Sequence, residues 1–470
     1  MVQSRSSDAA GQTAGCEMAA CRLVLTRNAH SELLLVENCS DFHLPAVEIP
    51  RWERAAPHLT SHVLSRWGVK AVVLFHVRSE SVASDSGEVC YYVLGSIDAN
   101  APLIRGARWM PTGDLRDKRV YQEDTVLRQA LHQAETYDNS DRVATFVHSG
   151  WLDELNSWMR TRLSTCGWRL TGECTQYAIG PWFCLLRCAT NGPYIWFKAV
   201  GGPNSREYAI TRLLTEFASP FLPEILGTRD DWRGWLSLEA IGQHLDQVWD
   251  LASWQSAARS LAQLQLTSLP NADSLLTAGT KDLRLEKLAS LICPLFDRIA
   301  KLMRQQPSSP PRILSMGALN SLTDRLQNAC TQLEKHGLPA ALGHADLNPG
   351  NVIVDGERTV FLDWAEATIS HPFFTFEYLI AVLRRLRPDL ECWVEELRQA
   401  YSAPWREFFS NEQVMKAFEL TPLLAVLAFA AGCTDWNGSG EDIRPPMAKL
   451  MRALARRMQV EALRLDRMGI

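Results

Sequence analysis

The sequence predicts an α+β protein whose first half is rich in strands and whose second half is mainly helical. Three features support this. Short apolar runs bounded by turn residues recur up to about residue 241. Helical periodicity dominates beyond that point. One strongly β segment, Asn351 to Asp363, interrupts the helical part. The chain has 470 residues, which at roughly 150 per domain gives two to three domains.

Residues 1–20 are rich in Ser, Ala and Gly without an apolar period and read as a loose tail. Cys21 to Leu25 and Leu33 to Glu37 flank a polar stretch and predict a hairpin. A helix follows over Trp52 to Trp67, then strands over Val69 to Val77 and Val89 to Ser96, joined by the loop Ser79 to Gly87. A helix from Asp124 to Thr136 closes a first domain at 21–136, and the segment 137–149 reads as a linker. The second domain, 150–470, opens with a helix over Trp151 to Leu163. Strands over Cys184 to Ala189 and Tyr194 to Val200 then surround the turn Thr190-Asn191-Gly192-Pro193.

Composition excludes several functions. With 46% hydrophobic residues, 21% charged residues and a net charge of -5, the chain is an ordinary globular protein with no general attraction to nucleic acid. The N-terminus lacks the apolar stretch of a signal peptide. Leu420 to Thr434, the longest uncharged stretch, contains Pro422 and Gly432 and falls short of the roughly 20 residues of a membrane span, so it predicts a core helix and no membrane partner. Twelve cysteines without a Cys-x-x-Cys pair predict neither a disulfide nor a zinc framework, and hence a reduced, cytoplasmic protein.

The chemistry concentrates in Leu342-Gly343-His344-Ala345-Asp346-Leu347-Asn348-Pro349-Gly350-Asn351 and the hairpin that follows around Asp355-Gly356. If Val354 pairs with Thr359, antiparallel counting sets Asn351 opposite Leu362 and Gly350 opposite Asp363. Asn351 and Asp363 then lie diagonally at one end of the hairpin, with Asp346 on the loop before it. Such oxygen donors suit Mg²⁺, and a further carboxylate that orients a hydroxyl implies phosphoryl transfer. Any one of these residues alone fits a turn cap or a strand end equally well; the combined spacing points to chemistry.

This pattern resembles the aminoglycoside phosphotransferase and choline kinase-like family, whose H-x-D-x-x-x-x-N loop and I-D-W segment are matched by His344, Asp346, Asn351 and Leu362-Asp363-Trp364. The resemblance implies a bilobal protein-kinase-like fold over residues 150–470, with an N-lobe at 150–238 and a C-lobe at 239–470. It makes Asp346 the catalytic base or hydroxyl-orienting residue, Asn351 and Asp363 the Mg²⁺ ligands, and His344 a loop-shaping residue. It also implies ATP or GTP with Mg²⁺ as cofactors, and a lysine and a glutamate that hold the nucleotide phosphates. Lys198, in the apolar strand Tyr194 to Val200, and Glu207, on the inner face of a helix over Ser205 to Phe217, are the candidates. Taken alone, Lys198 could snorkel from an edge strand, and Glu207 fits a capping box begun at Asn204-Ser205.

Leu236 to Gly242 stands where the family has its hinge, with backbone near Glu239 facing the nucleobase. The turn Tyr177 to Phe183, with Tyr177, Gly180 and Trp182, stands where a loop would cover the phosphates. Ala345 replaces the arginine that precedes the catalytic aspartate in protein kinases, and Trp364-Ala365 replaces Phe-Gly, which favours a small-molecule hydroxyl acceptor over a protein. Trp364, Glu366 and Asp435-Trp436 are candidates to line the acceptor site.

Residues 21–136 resemble a Nudix fold in the order Leu33 to Glu37, Phe42 to Pro45, helix, Gly68-Val69 and Arg108 to Pro111. Of the Nudix box only Glu53, Gly68 and the apolar positions match; His62, Ser65 and Arg66 stand where metal-binding carboxylates are needed, so the resemblance implies a degenerate, non-hydrolytic module. The expectation is a small-molecule kinase. Its rivals are a catalytically silent nucleotide sensor and a Nudix-type nucleoside-diphosphate hydrolase.

Overall fold

In a computed structural model, residues 17–469 are described except 39–40, 78–82, 85–86, 99–105, 114–123, 141–142, 309, 357 and 434–442. Most of the expected tail, much of the loop Ser79 to Gly87 and Asp435-Trp436 lie outside the described residues. The chain forms two compact units, Met1–Tyr208 with Glu224–Glu239, and Ala209–Pro223 with Ala240–Ile470.

The first unit begins with β1 (Met18–Arg27), β2 (Glu32–Asn38), β3 (Asp41–His43), β4 (Ala46–Pro50), α1 (Ala55–Trp67) and β5 (Ala71–Val77). A two-residue pair, β6 (Ala83–Ser84) and β7 (Gly87–Glu88), precedes β8 (Cys90–Ser96), β9 (Ala107–Pro111) and α2 (Asp124–Asp138). Alternation along the strands sends Leu23, Leu25 and Leu34 to one face with Leu59 and Val63 of α1, and Val24, Leu33 and Leu35 to the other with Leu127 and Ala130 of α2. The sheet runs β3-β2-β1-β8-β5, with β4 also on β1 and β9 also on β2. The β1–β2 hairpin forms as expected, in the register Thr26↔Leu33. Helix α1 starts three residues later than its apolar period because Trp52 and Glu53 lie in an exposed turn, and it ends where Gly68 adopts φ 72°.

The unit continues with α3 (Trp151–Thr165), β10 (Leu170–Ala178), β11 (Phe183–Thr190), β12 (Ile195–Val200), the start of α4 (Arg206–Phe217), β13 (Ile225–Arg229) and β14 (Gly234–Leu238). The second sheet is antiparallel in the order β10-β11-β12-β14-β13. Sequence reading missed β10, whose polar residues mask its period. The segment 137–149 differs from a polar linker, since Phe146 and Val147 are buried in one core with α2, α3 and β12. Gln176 of β10 ties the two sheets together. Its carboxamide accepts from Val73 N at 2.8 Å and donates to Val73 O at 2.8 Å, on β5, the last strand of the first sheet, whose outward backbone groups have no ladder partner.

One expectation about cysteine fails. Cys174 and Cys188 form a disulfide across the β10–β11 ladder. Antiparallel register sets these residues directly opposite, with Cα atoms 4.2 Å apart, although 14 positions separate them in sequence.

The second unit holds the rest of α4, β15 (Gln243–His244), α5 (Leu251–Ser268), α6 (Ala272–Thr277), β16 (Lys281–Leu283), α7 (Leu285–Arg304) and α8 (Met316–Lys335). It continues through β17 (Ala341–His344), β18 (Val352–Asp355), β19 (Arg358–Phe361), β20 (Ala367–Ser370), α9 (Phe373–Leu386), α10 (Val394–Trp405), α11 (Asn411–Gly432) and α12 (Pro445–Met468). Two three-stranded sheets, β15-β18-β19 and β16-β20-β17, lie among these helices. Helix α11 has the length and apolarity of a membrane span, yet 61% of its most apolar window is buried inside the protein, with Leu424 and Leu427 in the main core. Gly242, ahead of β15, has φ 124°, and a Cβ there would sit 2.3 Å from Val354 O, so only glycine fits.

Replacing Gln176 with Leu strands both Val73 groups. Denaturant titration will show a loss of about 1–3 kcal/mol for each abandoned group.

Candidate active site

Strand β17 is held between α9 and β20, and it delivers His344 to the site. A side chain at Gly343 would meet Thr368 Oγ1 at 2.4 Å, so the strand lies hard against its neighbour. His344 Nε2 donates to Leu362 O at 3.0 Å, and its Nδ1 accepts from Asp346 N at 3.2 Å. Those partners assign the proton to Nε2. The ring thereby ties the loop to the end of the hairpin and shapes the turn at Asp346. Trp364 packs 5.0 Å from it, ring centre to ring centre.

The loop then closes on itself. Asp346 O accepts from Asn348 N at 2.7 Å and from Asn351 Nδ2 at 3.0 Å. Asp346 Oδ1 accepts from Asn348 Nδ2 and, at 3.1 Å, from the Tyr378 hydroxyl of α9. Burial pushes the Asp346 carboxyl above its ordinary range, and the Asp363 carboxylate adds to the rise. Burial followed by the charge on Asp346 pushes the Tyr378 hydroxyl up in turn.

The hairpin has the expected register, Val354↔Thr359, and the ladder ends at Val352↔Phe361. Beyond it Asn351 lies in a 3-10 turn, Pro349–Asn351, and keeps its link to the other strand because Leu362 N donates to Asn351 O at 2.8 Å. Asp363 leaves the strand at φ 64°, ψ 68°, a left-handed conformation that a non-glycine residue holds only under external constraint. The donor set fits Mg²⁺. With Nδ2 of Asn351 committed to Asp346 O, its Oδ1 is the oxygen left to bind, and Asp363 lies close enough to Asp346 for their charges to repel. A cation of this kind needs only one or two protein oxygens when phosphates supply the others. Among the described residues no group of three or more His, Cys, Asp and Glu forms a closed metal cage, and none is needed here.

In the first unit, Lys198 Nζ of β12 donates to Glu207 Oε1 of α4 at 2.6 Å. The Glu207 side chain is 2% exposed and that of Lys198 15% exposed. Glu207 is the second residue of its helix, and its carboxylate reaches the lysine. Phe183 and Trp235 flank the ammonium, with ring centres 5.6 and 5.8 Å away. Glu239 is engaged differently from the sequence expectation. Its amide donates to Tyr194 O at 2.9 Å, and its carboxylate accepts from Arg187 Nε at 3.0 Å and Nη2 at 2.8 Å. The amide of Glu239 is thus committed to the sheet, and a nucleobase would have to use other backbone groups nearby.

The turn between β10 and β11 brings Tyr177, Gly180 and Trp182 together. Gly180 has φ 103°, Trp182 is 51% exposed, and Trp182 O accepts from Gly201 N at 2.9 Å. Tyr177 packs against Trp196, with ring centres 5.2 Å apart.

One acceptor-site expectation changes. Trp364 is 3% exposed and packs inside the core, so it cannot line an open site. Glu366 is paired with Lys281, whose ammonium also donates to Gly432 O at 2.7 Å. Three residues escaped sequence reading: Asn348, Tyr378 and Arg187. Asn348 lies within the quoted loop and could have been found there. Tyr378 stands 32 positions beyond Asp346 and Arg187 52 positions before Glu239, and no local pattern signals either contact.

Lys198→Met removes the lysine from a buried carboxylate, and the unfolding free energy will fall by about 3–5 kcal/mol in denaturant titration. Because the fold raises the Asp346 pKa, its native state is favoured when the carboxyl is protonated, and this contribution is lost as pH rises through the raised value. In metal-free buffer Asp346→Asn will therefore melt higher than the parent at neutral pH, and the gain will shrink in melting curves taken at progressively lower pH.

No curated protein matches the chain significantly. Solved structures with similar backbones include a choline/ethanolamine kinase family protein from Mesorhizobium loti, 17% identical, with a TM-score of 0.41 over 68% of this chain and 99% of that one. Others are choline kinase from Cryptosporidium parvum Iowa II, 13% identical, TM-score 0.45, over 68% and 97%, and a macrolide 2′-phosphotransferase from Brachybacterium faecium, 17% identical, TM-score 0.40, over 65% and 98%. A family model covers the segment that contains Glu207, Asp346, Asn351 and Asp363 and begins just after Lys198. Residues 205–411 match the phosphotransferase enzyme family APH.

Proposed function

We propose that this chain is a small-molecule kinase that transfers the γ-phosphoryl group of ATP or GTP to an alcohol hydroxyl. The observation that carries the reading is the half-buried Asp346 carboxylate, fixed through one oxygen by Asn348 and Tyr378 and followed by Asn351 and Asp363 at the two ends of one hairpin. The match of residues 205–411 to a phosphotransferase family supports it.

In this reading Asp346 Oδ2, the oxygen turned away from Asn348 and Tyr378, accepts the hydrogen bond of the acceptor hydroxyl and orients its oxygen for in-line attack. The oxygen–phosphorus bond to the acceptor forms as the bond to the leaving nucleoside diphosphate breaks, and the hydroxyl proton passes to Asp346. Lys198, oriented by Glu207, holds phosphate oxygens, and the backbone at Gly180 covers them. Mg²⁺ on Asn351 and Asp363 would neutralise charge on the phosphates. Residues 150–470 form the kinase domain, with its N-lobe at 150–238, and residues 21–136 a Nudix-like module behind a short tail. In that module His62 packs against Trp67, with ring centres 5.4 Å apart, and Glu53 pairs with His58 at 2.6 Å. Neither arrangement assembles the carboxylates that diphosphate hydrolysis needs, so this module acts without hydrolysis.

The deciding experiment supplies γ-labelled Mg-ATP or Mg-GTP with a small-molecule extract and an aminoglycoside panel. A labelled product that Asp346→Asn reduces by roughly 10²–10⁴-fold is the expected result. Nucleotide binding without any labelled product would favour a sensor instead. Asp363→Ala will abolish Mg²⁺-dependent nucleotide turnover while leaving circular dichroism unchanged.

A further inference from the structure

Lys281 ties the turn that follows Asp363 to the helices of the second unit. Asp363 holds φ 64°, ψ 68°, and a residue with a Cβ keeps that conformation only where the chain on both sides of it is fixed. Before it, Leu362 N donates to Asn351 O at 2.8 Å. After it comes the 3-10 turn Trp364–Glu366, whose first residue is buried against His344 and whose last carbonyl accepts from Ala345 N at 3.1 Å. Each of these ties runs to the loop between His344 and Asn351, so a shift of that loop would carry them all with it.

Lys281 supplies a tie of a different kind. It lies on β16 opposite Thr368 of β20, and its side chain is 13% exposed. Its ammonium donates to the Glu366 carboxylate and, at 2.7 Å, to the carbonyl of Gly432, the last residue of α11. The final carbonyls of a helix lack intrahelical partners and carry partial negative charge, which suits an ammonium. Leu283 of the same strand lies 3.5 Å from the point a Cβ on Gly432 would occupy, so strand and helix end are in close contact. The Glu366 side chain is 41% exposed, so burial does not hold it; the ammonium does. One cation thereby joins β16, the end of α11 and the turn three residues beyond Asp363.

We infer that Lys281 is a positioning residue for the metal site: through Glu366 it holds the turn after Asp363, and so keeps Asp363 in the conformation in which it offers its carboxylate to Mg²⁺. This rests on the phosphotransferase reading and adds to it a residue from outside the loop and the hairpin. Lys281 touches neither metal nor nucleotide in this role and acts only through the turn.

The test is calorimetric binding of the β,γ-imido analogues of ATP and GTP to the full chain, with Mg²⁺ and with EDTA, for the parent, Lys281→Met and Lys281→Arg. The parent will bind its preferred analogue more tightly with Mg²⁺ than with EDTA. Lys281→Met will lose about tenfold or more of that enhancement, the usual effect of removing a group that orients a metal ligand, while its affinity in EDTA stays at the parent's value. Lys281→Arg, which offers a cation to the same two oxygens, will keep most of it. The enhancement is a ratio within one variant, so a general loss of stability does not move it. An undiminished enhancement in Lys281→Met overturns the inference. So does an equal fall in affinity with Mg²⁺ and with EDTA, which would make Lys281 a part of the scaffold only. If the parent shows the enhancement and Lys281→Met retains it, only this inference falls. If the parent binds equally with and without Mg²⁺, the metal assignment falls with it, and if it binds neither analogue, so does the phosphotransferase reading.

Discussion

A carboxylate can be kept away from water only where donors face it, and the second unit is organised around meeting that condition for Asp346. Two donors meet the carboxylate, Asn348 two residues on and Tyr378 on α9, while Asn351 donates to the main-chain carbonyl of the same aspartate. None is effective unless the loop turns sharply, and that turn is set by His344, whose two ring nitrogens bridge Asp346 N and Leu362 O. Burial then gives the carboxyl a raised affinity for protons, which suits the hydroxyl-orienting role proposed for it. Helix α9 is consequently more than packing, because it brings the tyrosine that completes the cage.

The first unit meets a comparable constraint with a different pair. Glu207 is nearly inaccessible, and Lys198 from the neighbouring strand compensates its charge. Phe183 and Trp235 shield the pair from water, which strengthens the attraction while making either partner costly to lose. Gln176 performs the same service for backbone, pairing with Val73 on the edge strand β5 and joining the two sheets. The turn proposed to cover phosphate follows directly from that strand, so the N-terminal sheet braces the segment as well as adding a module to the chain.

Much of this was legible in the sequence because it is local. The Asp355-Gly356 hairpin, its register, the Lys198 strand and the helix that bears Glu207 each rest on spacing within a few residues, where turn chemistry and side-chain period act directly. Strand β10 was missed because its exposed residues are polar and its bulge shifts the period. Trp364 is not a lining residue: an aromatic beside an aspartate reads the same whether it faces solvent or core, and only packing decided for the core. The polar-looking segment 137–149 likewise conceals Phe146 and Val147, whose burial depends on elements before and after it.

By itself, the sequence determined the α+β class, the hairpin and the set of oxygen-bearing residues at its end, since these follow from composition, period and short spacing. Tertiary structure alone decided the partners brought from a distance: Tyr378 on Asp346, Arg187 on Glu239, Cys188 on Cys174, and Lys281 on Glu366. The physical reason is one of range. Backbone preferences act over a few residues, whereas contacts between remote segments arise only when burial and ladder pairing set the register of whole elements against one another.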